Sequence, residues 1–99
     1  MAGPFDKWTN LRDETERLRC DFIRTGLETG RTFASLAATE YQMGDREAAE
    51  HCTGVSEEAY RTVLRFLSEL TGDEERQRFE TKLRGLRDML NDLYKRIGK

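Results

Sequence analysis

Residues 43–50, MGDREAAE, contain the local signal that decides the fold of this 99-residue chain. Glycine adopts the left-handed conformation at a helix C-terminus at the lowest cost, so Gly44 predicts the end of one helix. An aspartate carboxylate accepts hydrogen bonds from the free backbone N–H groups of a first helical turn, so Asp45 predicts the N-cap of the next helix. A joint this short connects two antiparallel helices.

The segment Thr71-Gly72-Asp73 repeats this order of glycine and aspartate, and it predicts a second turn of the same kind. Pro4 is the only proline, and valine and isoleucine are scarce, so the composition favours helices over strands. We therefore predict an all-α fold in a single domain over residues 1–99. About four antiparallel amphipathic helices are expected, over residues 5–27, 31–43, 46–70 and 74–97.

Apolar residues at helical spacing define the face that each helix is expected to bury. The row of the first helix consists of Trp8, Leu11, Leu18 and Phe22, and Thr15 lies in the gap between Leu11 and Leu18. Phe5, Ile23 and Leu27 lie alongside this row. The second helix has Phe33, Leu36, Ala37 and Tyr41, with Met43 near its end. The third helix has Ala48, Ala49, Cys52, Val55, Ala59, Val63, Phe66, Leu67 and Leu70. The fourth and most regular row contains Phe79, Leu83, Leu86, Leu90, Leu93 and Ile97.

Two glycine-bearing segments leave helix boundaries open. Gly26 and Gly30 each cost about 1 kcal/mol inside a helix, so a break or kink there is favoured over one continuous helix. Gly54 is followed by Ser56, a residue type that caps new helices when acidic residues come after it. One unbroken helix is favoured at this second segment, because the apolar row keeps its phase across it.

Charge is distributed unevenly, although the net charge is only -2. Residues 40–75 hold ten acidic and three basic side chains, and residues 76–99 hold three acidic and eight basic side chains. Opposite charges favour packing of this acidic middle against the basic C-terminal helix. The alternative is that the basic helix contacts nucleic-acid phosphates, although its own acidic residues interrupt the basic run. The basic residues concerned are Arg76, Lys82, Arg84, Arg87, Lys95 and Arg96.

Residues 33–59, FASLAATEYQMGDREAAEHCTGVSEEA, resemble one tetratricopeptide repeat unit. The positions that match the family are Phe33, Leu36, Ala37, Tyr41, Gly44, Asp45 and Ala49, and those that depart from it are Thr53, Ser56 and Arg61. A similar Gly-Asp hairpin occurs in three-helix domains of the microtubule-interacting-and-trafficking type. The resemblance implies a helical hairpin with a flanking helix on each side, since a repeat array needs about three repeats.

The resemblance also implies where a partner would bind. The inner face of the first hairpin helix would form a groove, and by position it carries Arg31, Ala34, Ala38 and Tyr41. Arg31 would hold a peptide carboxylate, and Tyr41 would stack or form a hydrogen bond. The alternative is that the first or the fourth predicted helix fills this groove.

Residue types that carry catalysis do not form a pattern. His51 is the only histidine, and Glu47 lies four residues before it, but two candidate ligands do not make a metal site. On a helix the side chains of His51 and Cys52 point about 100° apart, so they do not form a nucleophile–base pair. The sequence contains no glycine-rich phosphate loop. We therefore predict that the protein is not an enzyme and needs no metal or cofactor.

The cysteines and the N-terminus indicate a cytoplasmic protein. Cys20 and Cys52 lie at apolar positions, which favours buried, reduced thiols over a disulfide or a reactive thiol. The N-terminal residues MAGPFDKWTN do not resemble a signal peptide, and no stretch approaches the ~20 apolar residues of a membrane span.

The remaining function is binding to protein. The predicted third helix is about 37 Å long and the second about 20 Å, so part of the third helix would remain uncovered. This length would pair with a partner helix or with a second copy, as a homodimer, unless the first and fourth helices cover it. We predict a helical interaction or assembly module, with nucleic-acid binding as the alternative and a metal- or ligand-binding bundle as the third reading.

Overall fold

The computed structural model describes residues 4–98 and, among their side chains, that of residue 11 and those of residues 13–98. It contains three α-helices: α1 (Pro4–Gln42), α2 (Arg46–Ser68) and α3 (Asp73–Ile97). The prediction of an all-α fold is confirmed. The prediction of four helices is wrong, because the expected first and second helices form one continuous helix of 39 residues.

The two glycines in α1 are packing positions and not breaks. A Cβ atom on Gly26 would lie 2.6 Å from Cγ2 of Val63 in α2, and one on Gly30 would lie 2.5 Å from Cδ2 of Leu86 in α3. Without side chains at these two positions, the neighbouring helices approach α1 closely. The packing gained there outweighs the loss of about 1 kcal/mol in helix propensity at each glycine.

The two inter-helix turns differ, although their sequences look alike. Gly44 has a φ of 85°, and the carboxylate of Asp45 accepts a hydrogen bond from the backbone N–H of Ala48 at 3.1 Å, so the first predicted turn is confirmed. In the second turn Gly72 is the N-cap and Asp73 is the first helical residue. The predicted N-cap at Asp73 is therefore displaced by one residue.

The three helices form an up-down-up bundle in which α2 packs against both α1 and α3. The α2 and α3 helices lie side by side, as expected for the middle of the chain and its C-terminal helix. Opposite charges do not explain this packing, because α2 has four acidic and three basic residues, α3 has six acidic and seven basic residues, and no ion pair in the described part of the chain joins the two helices. The row predicted for the last helix is confirmed in full. Its buried members are Phe79, Leu83, Leu86, Leu90, Leu93 and Ile97.

The buried face of α2 is rotated from the predicted one, although the helix runs unbroken through residues 54–56 as expected. Thr53 and Ser56 are 0 % exposed, and neither was in the predicted row. The Ser56 hydroxyl donates to the carbonyl oxygen of Gly30 at 2.8 Å, and the Thr53 hydroxyl donates to that of Ala49 at 2.7 Å. Small side chains fit the close approach at Gly30, and their hydroxyls are satisfied inside the protein. The predicted members that are only half-buried are Ala48, Cys52, Val55 and Phe66.

The helix α1 extends past its two partners at one end. At about 1.5 Å per residue, α1 is about 58 Å long, α2 about 34 Å and α3 about 37 Å. The turn between α2 and α3 lies beside Glu16, whose Oε1 accepts a hydrogen bond from the backbone N–H of Thr71 at 2.8 Å. Residues 4–15, called the arm below, therefore extend beyond the bundle, and the molecule measures 64 × 20 × 15 Å. The uncovered length belongs to α1 and not, as predicted, to the helix that follows the Gly-Asp joint.

Candidate interaction surface on α1

The predicted apolar row at the start of α1 does not lie in the core. Leu11, Leu18 and Phe22 are 55 %, 57 % and 56 % exposed, and the side chains of Phe5 and Trp8 lie outside the described residues. Further along, Leu36 and Tyr41 are also exposed, contrary to the row predicted for the second helix. The buried face of α1 consists mostly of small residues, because α2 and α3 approach closely there. Its members are Cys20, Ile23, Leu27, Gly30, Ala34 and Ala37.

Apart from Tyr41, the exposed apolar residues described on α1 belong to one row, which continues to Met43 just after the helix and touches α2 only at Phe22. This outer row consists of Leu11, Thr15, Leu18, Phe22, Thr25, Thr29, Thr32, Leu36, Thr39 and Met43. Thr29 is half-buried and the other nine residues are exposed. None of the ten is charged, whereas 36 % of all residues are, so about three or four charges are expected at random in ten positions. The outer row is therefore a charge-free strip that runs almost the whole length of α1.

Two of the five threonines of the outer row have hydroxyls that form hydrogen bonds within α1. The Thr15 hydroxyl donates to the carbonyl oxygen of Leu11 at 2.8 Å, and the Thr39 hydroxyl donates to that of Ser35 at 3.2 Å. Both bonds lie within α1, so these two donors stay satisfied if another helix covers the row. Covering them avoids the desolvation cost of an unpaired hydroxyl.

An aromatic stack joins the outer row to α2. The rings of Phe22 and Phe66 have centroids 5.4 Å apart and planes 13° apart. The guanidinium carbon of Arg65 lies 5.6 Å from the centroid of Phe66. The stack extends the apolar surface across the α1–α2 boundary and fixes the orientation of Phe22, which is nevertheless more than half exposed.

Charged side chains flank the outer row. At 100° per residue, Glu14, Asp21 and Glu28 fall along one edge, and Arg19 falls along the other. Arg19 lies between Glu16, at 3.7 Å, and Glu69 of the second turn, at 3.5 Å. The row is therefore an apolar strip between an acidic edge and a basic group.

Glu16 marks the junction between the bundle and the arm. The hydrogen bond from the Thr71 backbone N–H stabilises the carboxylate and holds the pKa of Glu16 below its ordinary value. This bond fixes the second turn against α1 at the level where α2 and α3 end. The apolar surface continues past this level on the arm, where Leu11 is exposed.

The four residues of the predicted groove do not share one open face. Arg31 is exposed and lines a depression of about 220 Å³ together with Lys82 of α3. Ala34 is 2 % exposed and Ala38 is half-buried, because α3 packs beside them, while Tyr41 is 37 % exposed. The α3 helix, which corresponds to the predicted fourth helix, therefore occupies part of this groove. A role in partner binding for Arg31 and Tyr41 remains a prediction.

The basic residues of α3 are spread around the helix. The Arg76 guanidinium donates to the carbonyl oxygen of Leu70 and so belongs to the second turn. Lys82 lies on the side of α1, beside Arg24 and Arg31, whereas Arg87 lies on the side of α2. These directions do not form one basic face along α3.

The two cysteines and the single histidine differ in burial. Both thiols are free; Cys20 is buried as expected, and Cys52 is half-buried. Burial raises the pKa of the Cys20 thiol, which disfavours the reactive thiolate. His51 is exposed, and the described residues contain no group of three potential metal ligands. Within the same part of the chain, every helix is too polar to cross a membrane.

Comparison with protein-family models, with curated proteins and with solved structures finds no significant match to this chain. The function is therefore inferred from the residues and their geometry.

Proposed function

We propose that this protein is a non-catalytic helical interaction or assembly module that binds another protein helix through the outer row of α1. The observation that carries the proposal is the ten-residue strip without a charge, in which Leu11, Leu18, Phe22, Leu36 and Met43 are exposed. Single exposed apolar residues are ordinary on a protein surface, but a continuous strip marks an interaction site.

The energetics of burial support a helix as the partner. Burying the exposed part of a Leu or Phe side chain contributes roughly 1 kcal/mol, so Leu11, Leu18, Phe22 and Leu36 together contribute roughly 4 kcal/mol. A groove-shaped or rod-shaped partner reaches all of them, because they lie on one line along α1. This free energy is no larger than the cost of association, so other contacts along the row must contribute and the complex is expected to be weak and reversible.

The arm supports the same conclusion. The arm continues a helix that the bundle already nucleates, but it extends past the level at which α2 and α3 end. A second helix alongside the arm would bury Leu11 and supply tertiary contacts that the described part of the chain does not provide there.

Affinity capture with paired variants tests this function. The protein is immobilised and exposed to native lysate, with Leu18→Glu as the outer-row variant and Leu64→Glu as the matched control, since Leu64 is 50 % exposed on α2. We expect bound protein to be lost from Leu18→Glu and retained on Leu64→Glu. Arg31→Ala and Tyr41→Ala test the predicted groove in the same assay. Retention of every bound protein by Leu18→Glu would refute the outer row as the binding surface.

Nucleic-acid binding is the second candidate, and one observation favours it. Arg24 and Arg31 of α1 and Arg78 and Lys82 of α3 line two neighbouring depressions that share Arg24 and Lys82. Four cations near one groove would contact phosphates, although Glu28 and Glu75 line the same depressions.

Fluorescence anisotropy with labelled DNA and RNA between about 50 and 500 mM salt tests this candidate. Phosphate contacts predict an affinity that falls steeply with salt and that is weakened by Lys82→Glu more than by Lys95→Glu. Absence of binding at the lowest salt concentration removes the candidate.

The proposal also includes a cytoplasmic location and a tetratricopeptide-like hairpin formed by α1 and α2. A cytoplasmic location agrees with the free thiols and with the polar character of the described helices. The tetratricopeptide-like hairpin is supported by the turn at Gly44, where α1 and α2 meet as antiparallel helices. Fluorescence microscopy of the tagged protein tests the location.

A further inference from the structure

We propose that the partner covering the outer row is a second copy of this protein, with the two α1 helices parallel and in register as a two-stranded coiled coil. The proposal rests on the proposed function, because it names the occupant of the same surface. It is carried by the spacing of the outer row, by its polar layers, by the charges at its edges and by the area of the face.

The spacing of the outer row is that of a coiled coil. From Leu11 to Met43 its members alternate steps of four and three residues without exception, which is a repeat of 3.5 residues. A straight helix has about 3.6 residues per turn, so a row that keeps 3.5 over more than four heptads winds slowly around the helix. A partner helix that supercoils with the same left-handed sense follows such a row along its whole length.

The order of residues within the row favours an identical partner in register. Thr25, Thr29 and Thr32 occupy three successive layers between the apolar residues Phe22 and Leu36. A second copy in parallel register places each threonine opposite a threonine and each large apolar residue opposite its equivalent. No layer then buries a hydroxyl against a leucine, which would leave the polar group without compensation.

The charges at the edges favour the parallel orientation. In a parallel pair, the residue before one layer contacts the residue five positions later on the other helix, so Glu14 lies near Arg19 of the partner subunit, twice by symmetry. Arg19 is held at that edge by Glu16 and Glu69. An antiparallel pair that overlaps the whole row would instead place Glu28 opposite the same residue of its partner and Phe22 opposite Thr32, and both juxtapositions are unfavourable.

The area of the face sets the expected affinity. The outer row is about 50 Å long, and a strip about 10 Å wide along it covers about 500 Å² per protomer, or about 1,000 Å² in total. Specific interfaces begin at about this size, and obligate dimers bury at least twice as much. The expected dimer is therefore weak and reversible, and it should form only at high protein concentration.

Sedimentation velocity between about 5 and 500 μM tests self-association of the complete chain. The wild type should shift from monomer to dimer across this range, and Leu18→Glu should raise the Kd at least about tenfold. The control Leu64→Glu should dimerise like the wild type, and circular dichroism should show that all three proteins remain helical. A wild type that stays monomeric at every concentration, or a helical Leu18→Glu that dimerises unchanged, would overturn the proposal.

Disulfide cross-linking tests the orientation. Thr15→Cys and Thr39→Cys are made separately in a chain in which Cys20 and Cys52 are replaced by alanine. Parallel pairing in register brings each new cysteine next to its equivalent, so both variants should form covalent dimers under mild oxidation. An antiparallel pair can bring at most one of these two positions next to its equivalent, so cross-linking at only one position, or at neither, overturns the parallel register.

Failure of this inference can be told apart from failure of the proposed function. A monomeric wild type that captures a different protein, and loses it on Leu18→Glu, overturns the second copy and leaves the outer row as a binding surface. A monomeric wild type whose captured proteins are indifferent to Leu18→Glu overturns both.

Discussion

Two leucine-bearing faces of this molecule have the same spacing and opposite fates. The face of α3 that carries Leu83, Leu86 and Leu90 is at most 5 % exposed, whereas Leu11 and Leu18 on the outer row of α1 are more than half exposed. The difference is that the leucines of α3 face α1 and α2, whereas α1 packs on α2 and α3 with another face, which consists mostly of small residues. Apolar residues at helical spacing thus predict that a helix face can pack against another helix. Which face of α1 packs within the monomer is decided by how closely the backbones of the helices can approach each other.

The largest effect separating the two faces is expected from Leu86→Ala. Leu86 is 0 % exposed, and removal of a buried leucine side chain leaves a cavity, so the free energy of unfolding should fall by about 2–5 kcal/mol. Urea denaturation followed by circular dichroism measures the change.

Leu18→Ala is the matched variant on the exposed face. At protein concentrations at which the chain is monomeric, it should change the free energy of unfolding by less than about 0.5 kcal/mol. Equal losses for the two variants would mean that the outer row is buried within the monomer, contrary to the structure.

Gly26→Ala tests whether the glycine-bearing face of α1 is the packed one. The new Cβ would lie 2.6 Å from Cγ2 of Val63, a buried and β-branched side chain with little freedom to move. Overpacking should cost about 1–3 kcal/mol and outweigh the gain in helix propensity of about 1 kcal/mol.

Gly54→Ala supplies the control for this substitution. Gly54 lies inside α2, and a Cβ there would have no side chain or neighbouring backbone within 4 Å. This variant should be more stable by up to about 1 kcal/mol in thermal or urea unfolding. Stabilisation by Gly26→Ala as well would show that α1 and α2 are not in close contact at that level.

The glycine of the first turn and the two glycines of α1 show where the sequence alone was sufficient for prediction and where it was not. Gly44 was predicted correctly, because its role is local: it ends a helix with a positive φ. Gly26 and Gly30 have a tertiary role, namely space for Val63 and Leu86, and nothing in the neighbouring sequence records which distant side chain needs that space. Propensity alone therefore predicted a break where the chain forms one helix.

The apolar rows divide in the same way. The row of α3 was predicted in full, because it is the only apolar face of that helix. The helix α1 has two candidate faces, and the larger side chains of Leu11, Leu18 and Phe22 made the exposed one look like the core. The signal that could have separated the faces was the run of small residues at Gly26, Gly30, Ala34 and Ala37, which only the packed face of α1 carries.

Ser56→Ala is expected to have a smaller effect than the glycine substitution. Its hydroxyl is buried and donates to the carbonyl oxygen of Gly30 across the α1–α2 contact at 2.8 Å. Loss of this bond should lower the free energy of unfolding by about 0.5–1.5 kcal/mol. The control is Ser35→Ala on the exposed surface of α1, which should be neutral or slightly stabilising. An equal loss from both variants would mean that replacing serine by alanine in a helix causes the effect, and not the loss of the bond to Gly30.

The smallest effect is expected at Glu16, where the bundle ends and the arm begins. The hydrogen bond from Thr71 lowers the pKa of this carboxylate in the folded state, so its stabilising contribution is present above the ordinary glutamate pKa and is lost as pH falls through the lowered value. Glu16→Gln keeps an oxygen that accepts the same bond but removes the titrating charge. At neutral pH the wild type should be more stable by a few tenths of a kcal/mol, because the carboxylate is partly exposed. Urea unfolding of both proteins from pH 7 to acid should show this difference shrinking to zero, and a difference that is constant over the whole range would mean that the charge of Glu16 does not hold the second turn against α1.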